Sequence, residues 1–173
     1  MQLRDLFDES APSAGAVIPL ALQQLLREDL DIKDDWNKAE QLLLKAKAVM
    51  PGRLEILIAL YKLYAYSNRF EESLQVIGEV LAQAAEQEGF DADWRQLNTS
   101  SAQWYPAMGA IRHYLYSLKA TGFVSLRKGD VETAFAVLSK LQELDPMDQV
   151  GGSVVLEMAD SLREQMCDEE ISG

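Results

Sequence analysis

One cysteine and one histidine are too few for most chemistry that clustered side chains perform. Cys167 can form no internal disulfide, and its setting in a polar tail fits a reducing compartment. His113 stands alone, so a Cys/His zinc set or nucleophilic pair would require the tail to fold back onto it. Cations are scarce too: 16 Lys and Arg against 28 Asp and Glu leave a net charge of −12. Nucleic-acid binding needs clustered cations that displace counterions, so no nucleic-acid partner is expected, and anionic membranes are disfavoured likewise. No stretch approaches the roughly 18 apolar residues that a spanning helix requires. The glycines of "ATGF" and "PGR" are isolated, not phosphate loops. Asp31, Asp34 and Asp35 cluster, but Lys33 holds the third place and no glycine the sixth, so a calcium loop fails. The first twenty residues have no basic start followed by a long apolar core. No signal peptide is therefore expected, and the expected location is cytoplasmic. No metal, no cofactor and no enzymatic reaction is expected.

What the chain has is length, apolar content and period. A chain of 173 residues with 48% hydrophobic residues can bury a real core, and one domain is expected. Three stretches align: "WNKAEQLLLKAKAVMP" (36–51), "FEESLQVIGEVLAQAA" (70–85) and "VETAFAVLSKLQELDP" (131–146). Ala39, Ser73 and Ala134 share a column; so do Leu43, Ile77 and Leu138, then Ala46, Val80 and Leu141, then Pro51, Ala85 and Pro146. The first two copies lie 73 − 39 = 34 residues apart, and the third follows after 134 − 73 = 61, which is 34 plus 27.

Each copy has a second helical pattern upstream: 17–30, 54–66 and 115–129. Between the halves, Asn68-Arg69-Phe70-Glu71 has the spacing of a capping box, and Asp130 after Gly129 is a natural N-cap. This arrangement resembles the tetratricopeptide repeat, a 34-residue antiparallel helix pair. Gly122 and Ala134 match the family's small positions in the third copy and Pro146 its terminating proline. Ala39, Ala46 and Pro51 match in the first copy, and Tyr64 matches the family's tyrosine in the second. Tyr61 and Arg27 stand where small residues belong, and tryptophan is absent from its usual place in the first helices.

The resemblance implies an all-α fold, a short right-handed α-solenoid of about three helix pairs near 20–53, 54–87 and 115–148. A flexible arm over 1–16 precedes it, an insert over 88–114 interrupts it, a capping helix over 149–166 closes it, and 167–173 is a tail. The helical domain as a whole spans 17–166. In the insert, Asp91–Leu97 reads as a turn of helix and Pro106 as the first turn of a helix running towards Lys128. Trp94, Trp104 and Tyr105 there read as core plugs before pocket walls. Val154, Val155, Met158 and Leu162 read as the packed side of the cap.

In this family the first helices line the concave side. The resemblance thus places Glu55, Ile58, Lys62, Ala65 and Tyr66, then Arg112, Tyr116, Lys119, Phe123 and Leu126, along a groove for a protein or peptide of basic or mixed character. The expected function is that of a non-enzymatic adaptor or small chaperone. Self-association through Leu3 and Phe7 or the 154–162 face is the alternative. A further resemblance is to class II type III secretion chaperones, which are small, acidic and three-repeat but lack such an insert.

Overall fold

The computed structural model describes residues 1–7 and 20–173, and among these the chain is all-α, with seven α-helices and two 3-10 turns. They fall into two compact units, Met1–Val80 and Leu81–Gly173.

The first unit holds α1 (Leu20–Arg27), α2 (Trp36–Val49), α3 (Leu54–Tyr66) and the first three turns of α4 (Phe70–Glu88). The expectation of a flexible arm over 1–16 is corrected over its first seven residues. Leu3–Phe7 form a 3-10 turn packed with α1 and α3, and Leu3, Leu6 and Phe7 are buried. The Leu3 N–H donates to the Leu30 carbonyl at 2.8 Å and the Ile32 N–H to that of Met1 at 3.0 Å. Apolar burial outweighs the ordering entropy of so short a segment, because three large side chains leave water together. The remainder of that arm, and 17–19 of the first helical pattern, lie outside the described residues.

Helix α3, "LEILIALYKLYAY", is apolar on nearly every side, and ten of its thirteen residues are buried. It ends in a Schellman turn: the Arg69 N–H reaches the Tyr64 carbonyl at 2.9 Å and the Asn68 N–H that of Ala65 at 3.2 Å. Asn68 sits at φ 59°, so it terminates α3 and does not open a capping box for α4, which corrects that expectation. Asparagine is the side-chain-bearing residue that tolerates this left-handed conformation best.

The second unit holds the end of α4, α5 (Gly109–Lys128), α6 (Val131–Leu144) and α7 (Ser153–Ser172). The turn from α5 to α6 repeats the first one. The Asp130 N–H reaches Ser125 O at 2.8 Å, the Gly129 N–H reaches Leu126 O at 3.0 Å, and Gly129 takes φ 94°. Asp130 then caps α6, accepting from the Thr133 N–H at 3.2 Å. Because only two residues separate the helices, α5 and α6 run antiparallel. A Cβ on Gly122 would stand 2.4 Å from Leu138 Cγ, so the glycine is what lets the helices close.

All nine residues of the three aligned columns are buried: Ala39, Ser73, Ala134; Leu43, Ile77, Leu138; Ala46, Val80, Leu141. Where the fourth column holds proline, the helices have stopped, at Val49 and Leu144; where it holds Ala85, α4 runs on to Glu88. Gly89, at φ 78°, ends it.

The insert is filled by its aromatics. Phe90 meets Tyr114 edge-on at 5.0 Å and Trp104 at 5.3 Å, and Trp104 and Tyr114 are buried. The Tyr114 hydroxyl donates to the Ala92 carbonyl at 3.0 Å and Trp104 Nε1 to that of Asn98 at 3.0 Å. Trp94–Gln96 form the expected turn of helix, as a 3-10 turn. Tyr105 is exposed, and α5 starts at Gly109, three residues past Pro106. The intervening Ala107 N–H goes to the Gln149 side chain at 2.7 Å, outside any helix.

The expected cap and tail are one helix. The segment 164–172 contains no glycine or proline and is rich in Glu, Gln and Met, so α7 continues through it to Ser172. Its packed side is also not the expected one. Ala159 is the buried residue of α7; of the expected packed side Val155 is half-buried, whereas Val154, Met158 and Leu162 are 62%, 47% and 39% exposed.

Candidate interaction surface

Seven of the ten residues that the resemblance places along a groove, three on α3 and four on α5, differ sharply in exposure. Ile58 is wholly buried and Lys62 is 8% exposed, so neither offers a surface. The reason is the all-round apolar character of α3, which leaves no open stripe. Tyr66, at the end of α3, is exposed.

The other four form one stripe on α5 at i, i+4, i+7 and i+11. Arg112 is exposed, and Tyr116, Lys119 and Phe123 are half-buried. Two of them are held by the turn before α7. Lys119 Nζ donates to the Val150 carbonyl at 2.7 Å while lying 4.7 Å from the Tyr116 ring centre. Arg112 Nη1 reaches the Gln149 carbonyl at 3.4 Å. The Arg127 guanidinium lies 5.9 Å from the Phe123 ring. Aromatic rings beside cations, already fixed in place, make a surface that loses little side-chain entropy when it meets another chain.

That turn rests on a buried carboxylate, Asp145, which directly precedes Pro146. Asp145 Oδ1 accepts from the Gln149 N–H at 3.0 Å and from Gln149 Nε2 at 2.9 Å, and Oδ2 accepts from the Val150 N–H at 3.2 Å. Gln149 Nε2 also donates to the Trp104 carbonyl at 2.9 Å. One glutamine thus ties the insert to the start of α7. The sequence hint was the aspartate before Pro146; nothing marked Gln149. Asp148 holds Ser153 at the first turn of α7, accepting from its N–H at 3.0 Å and its hydroxyl at 2.6 Å. These two donors depress the Asp148 carboxyl below its ordinary range.

A second polar–aromatic cluster lies in the first unit. Arg69 stacks on Trp36 and Tyr64, 4.7 and 5.2 Å from their ring centres, and pairs with Glu72 at 2.9 Å. The Tyr64 hydroxyl donates to Glu40 at 2.8 Å, and Trp36 Nε1 donates to Ser67 Oγ. Burial, then the bond to Glu40, pushes the Tyr64 hydroxyl up to about 12. The cluster binds the start of α2 to the end of α3; it is a clasp whose polar groups are spent on one another. Among the described residues no helix is long and apolar enough to cross a membrane.

Among the described residues the chain is all-helical, and no group of three or more His, Cys, Asp or Glu side chains is placed to hold a metal ion. Comparison with known proteins gives the relationship. The chain is 33% identical over 155 residues, 88% of its length, to a protein of Azotobacter chroococcum mcd 1 described as "Uncharacterized 19.8 kDa protein in nifW 5'region", of which it covers 81%. It belongs to the same family as that protein. No protein-family model matches the chain. No solved structure matches it.

Proposed function

We propose that this chain is a non-enzymatic, tetratricopeptide-like interaction module, an adaptor or small chaperone-like scaffold, that holds a segment of another protein against the α5 stripe. The carrying observation is the stripe itself: Arg112, Tyr116, Lys119 and Phe123 on one helix face, with Lys119 anchored at 2.7 Å to the turn before α7. Tyrosine and arginine are the side chains that most often dominate binding energy at protein interfaces. The repeat reading is supported by two identical Schellman turns 130 − 69 = 61 residues apart, the same offset as the aligned columns. The acidic composition, with a net charge of −12, supports a cytoplasmic setting for such a module.

A photo-crosslinking side chain placed at Tyr116 tests the reading directly. The expected result is a crosslink to one defined segment of a native partner, with its recovery falling at least about tenfold when Arg112→Glu and Phe123→Ala are combined. Unchanged recovery in that variant, with helicity intact, removes the α5 stripe as the contact.

A further inference from the structure

Helix α7 presents an apolar row that the other described residues do not cover. Val154, Met158, Leu162 and Met166 recur every fourth residue and are 62%, 47%, 39% and 46% exposed. Consecutive members lie one above another along the helix, and the row spans 12 residues, about 18 Å of helix axis. Four large apolar side chains that turn by only about 40° per step along one flank of the helix are a patch, not scattered surface residues.

The charge around this row is of one sign. Helix α7 carries six carboxylates, Glu157, Asp160, Glu164, Asp168, Glu169 and Glu170, and one cation, Arg163. Arg163 is turned down onto α6: its guanidinium lies 4.1 Å from the Phe135 ring centre and its Nε 3.6 Å from Glu132. The cation is thus already committed, and the six carboxylates are exposed. Glu157 follows Val154 by three residues and Glu169 follows Met166 by three, so both ends of the row carry acid. A second copy would bring the same carboxylates against these, and the chain's net −12 adds to that repulsion. A helix with a matching apolar row and flanking lysines or arginines meets the row with its apolar side and the carboxylates with its cations.

We propose that the exposed row of α7 is a docking site for a cationic amphipathic helix of another protein, about three to four turns long. The site is separate from the α5 stripe and does not depend on it. An adaptor needs two surfaces, and this one differs from the first in both shape and charge.

The test uses the full chain and a labelled synthetic 15-residue peptide, with leucines at i, i+4, i+8 and lysines on both flanks. A scrambled peptide of identical composition is the control. Fluorescence anisotropy at low and moderate salt reads the affinity. The expected result is binding of the ordered peptide at least about tenfold tighter than the scrambled one. That preference disappears in Met158→Glu/Leu162→Glu, whose substitutions lie on exposed positions, and survives in Arg112→Glu/Phe123→Ala. Circular dichroism confirms that each variant keeps its helicity. Equal affinity for ordered and scrambled peptides overturns the proposal, since charge alone then explains binding. So does an unchanged preference in the α7 variant. Light scattering at high protein concentration supplies the other decisive outcome. A dimer that Met158→Glu/Leu162→Glu dissociates assigns the row to a second copy and overturns the proposal.

Discussion

The turn joining α3 to α4 and the turn joining α5 to α6 are built alike from different residues. Both use the same pair of Schellman hydrogen bonds, and both place a left-handed residue at the same step, Asn68 in one and Gly129 in the other. Sixty-one residues separate each matched position, yet the side chains at the helix contact are opposites. Gly122 gives Leu138 room against the α5 backbone, while its counterpart, 122 − 61 = 61, is Tyr61, a fully buried ring. In the first unit the small partner is instead Ser73, whose hydroxyl donates to the Tyr61 carbonyl at 2.9 Å. The turn and the three buried columns are what the two share. Close approach through a glycine belongs to only one.

The largest expected effect comes from making the two alike. Tyr61→Gly should cost about 4–6 kcal/mol, from the lost aromatic burial and the glycine inside a helix. Urea unfolding monitored by far-ultraviolet circular dichroism measures it; a cost under about 2 kcal/mol would mean that Tyr61 is not a core residue. Asp145→Ala comes next, at about 2–4 kcal/mol, because the Gln149 and Val150 N–H groups lose their acceptor. The groups that Asp145 holds all lie within Leu81–Gly173, so this loss should be confined to the second unit. Hydrogen exchange should show deprotection around 104–107 and 149–153 with Met1–Val80 unchanged. Gly122→Ala should cost about 1–3 kcal/mol by forcing Leu138 aside, and Leu138→Val in the same chain should return part of it.

Acid should distinguish the turns as well. The Thr133 hydroxyl and N–H hold the Asp130 carboxyl below its ordinary range, and Ser153 does the same for Asp148. A carboxyl depressed in the folded state contributes stability above its unfolded pKa of about 3.9 and loses it as pH falls through the folded value. Thermal stability of the second unit should therefore decline below about pH 4, and Asp130→Asn with Asp148→Asn should flatten that decline. At the first turn Arg69 stands in the place of Asp130 and the depressed carboxyl is that of Glu72, held by its own backbone N–H and by Arg69, so these two substitutions should leave its acid response unchanged. The smallest effect is expected at the turn residue itself. Gly129→Asn should cost less than about 1 kcal/mol, since Asn68 already shows that asparagine fits, whereas Gly129→Val should cost more.

The repeat was legible because it rests on period and spacing. Nine column positions read from the sequence are the nine found buried, and Asp130 caps as its place after Gly129 foretold. The rest failed where one residue pattern serves two structures. Asn68 followed by Glu71 reads as a capping box, but a left-handed asparagine ends the previous helix equally well. Leu3, Leu6 and Phe7 are too few to show a period, though they bury as deeply as any core residue. Ile58 and Lys62 were placed by analogy on an open face of a helix whose composition leaves none. The residues that hold the α5 stripe, Asp145 and Gln149, act through backbone groups of another segment, and no pattern in one chain's letters records that. On α7, an apolar row normally marks the packed side; here Ala159, small enough for close contact with α6, took that role instead.

Cys167 lies on α7 one turn beyond Arg163, exposed, and roughly across the helix from the row of Val154, Met158, Leu162 and Met166. Because it is the chain's sole thiol, a maleimide dye or spin label attaches at one known spot with no engineering of the protein. The label would stand on the far side of the same helix, clear of the row, so the molecule comes supplied with its own reporter for whatever settles on its last helix.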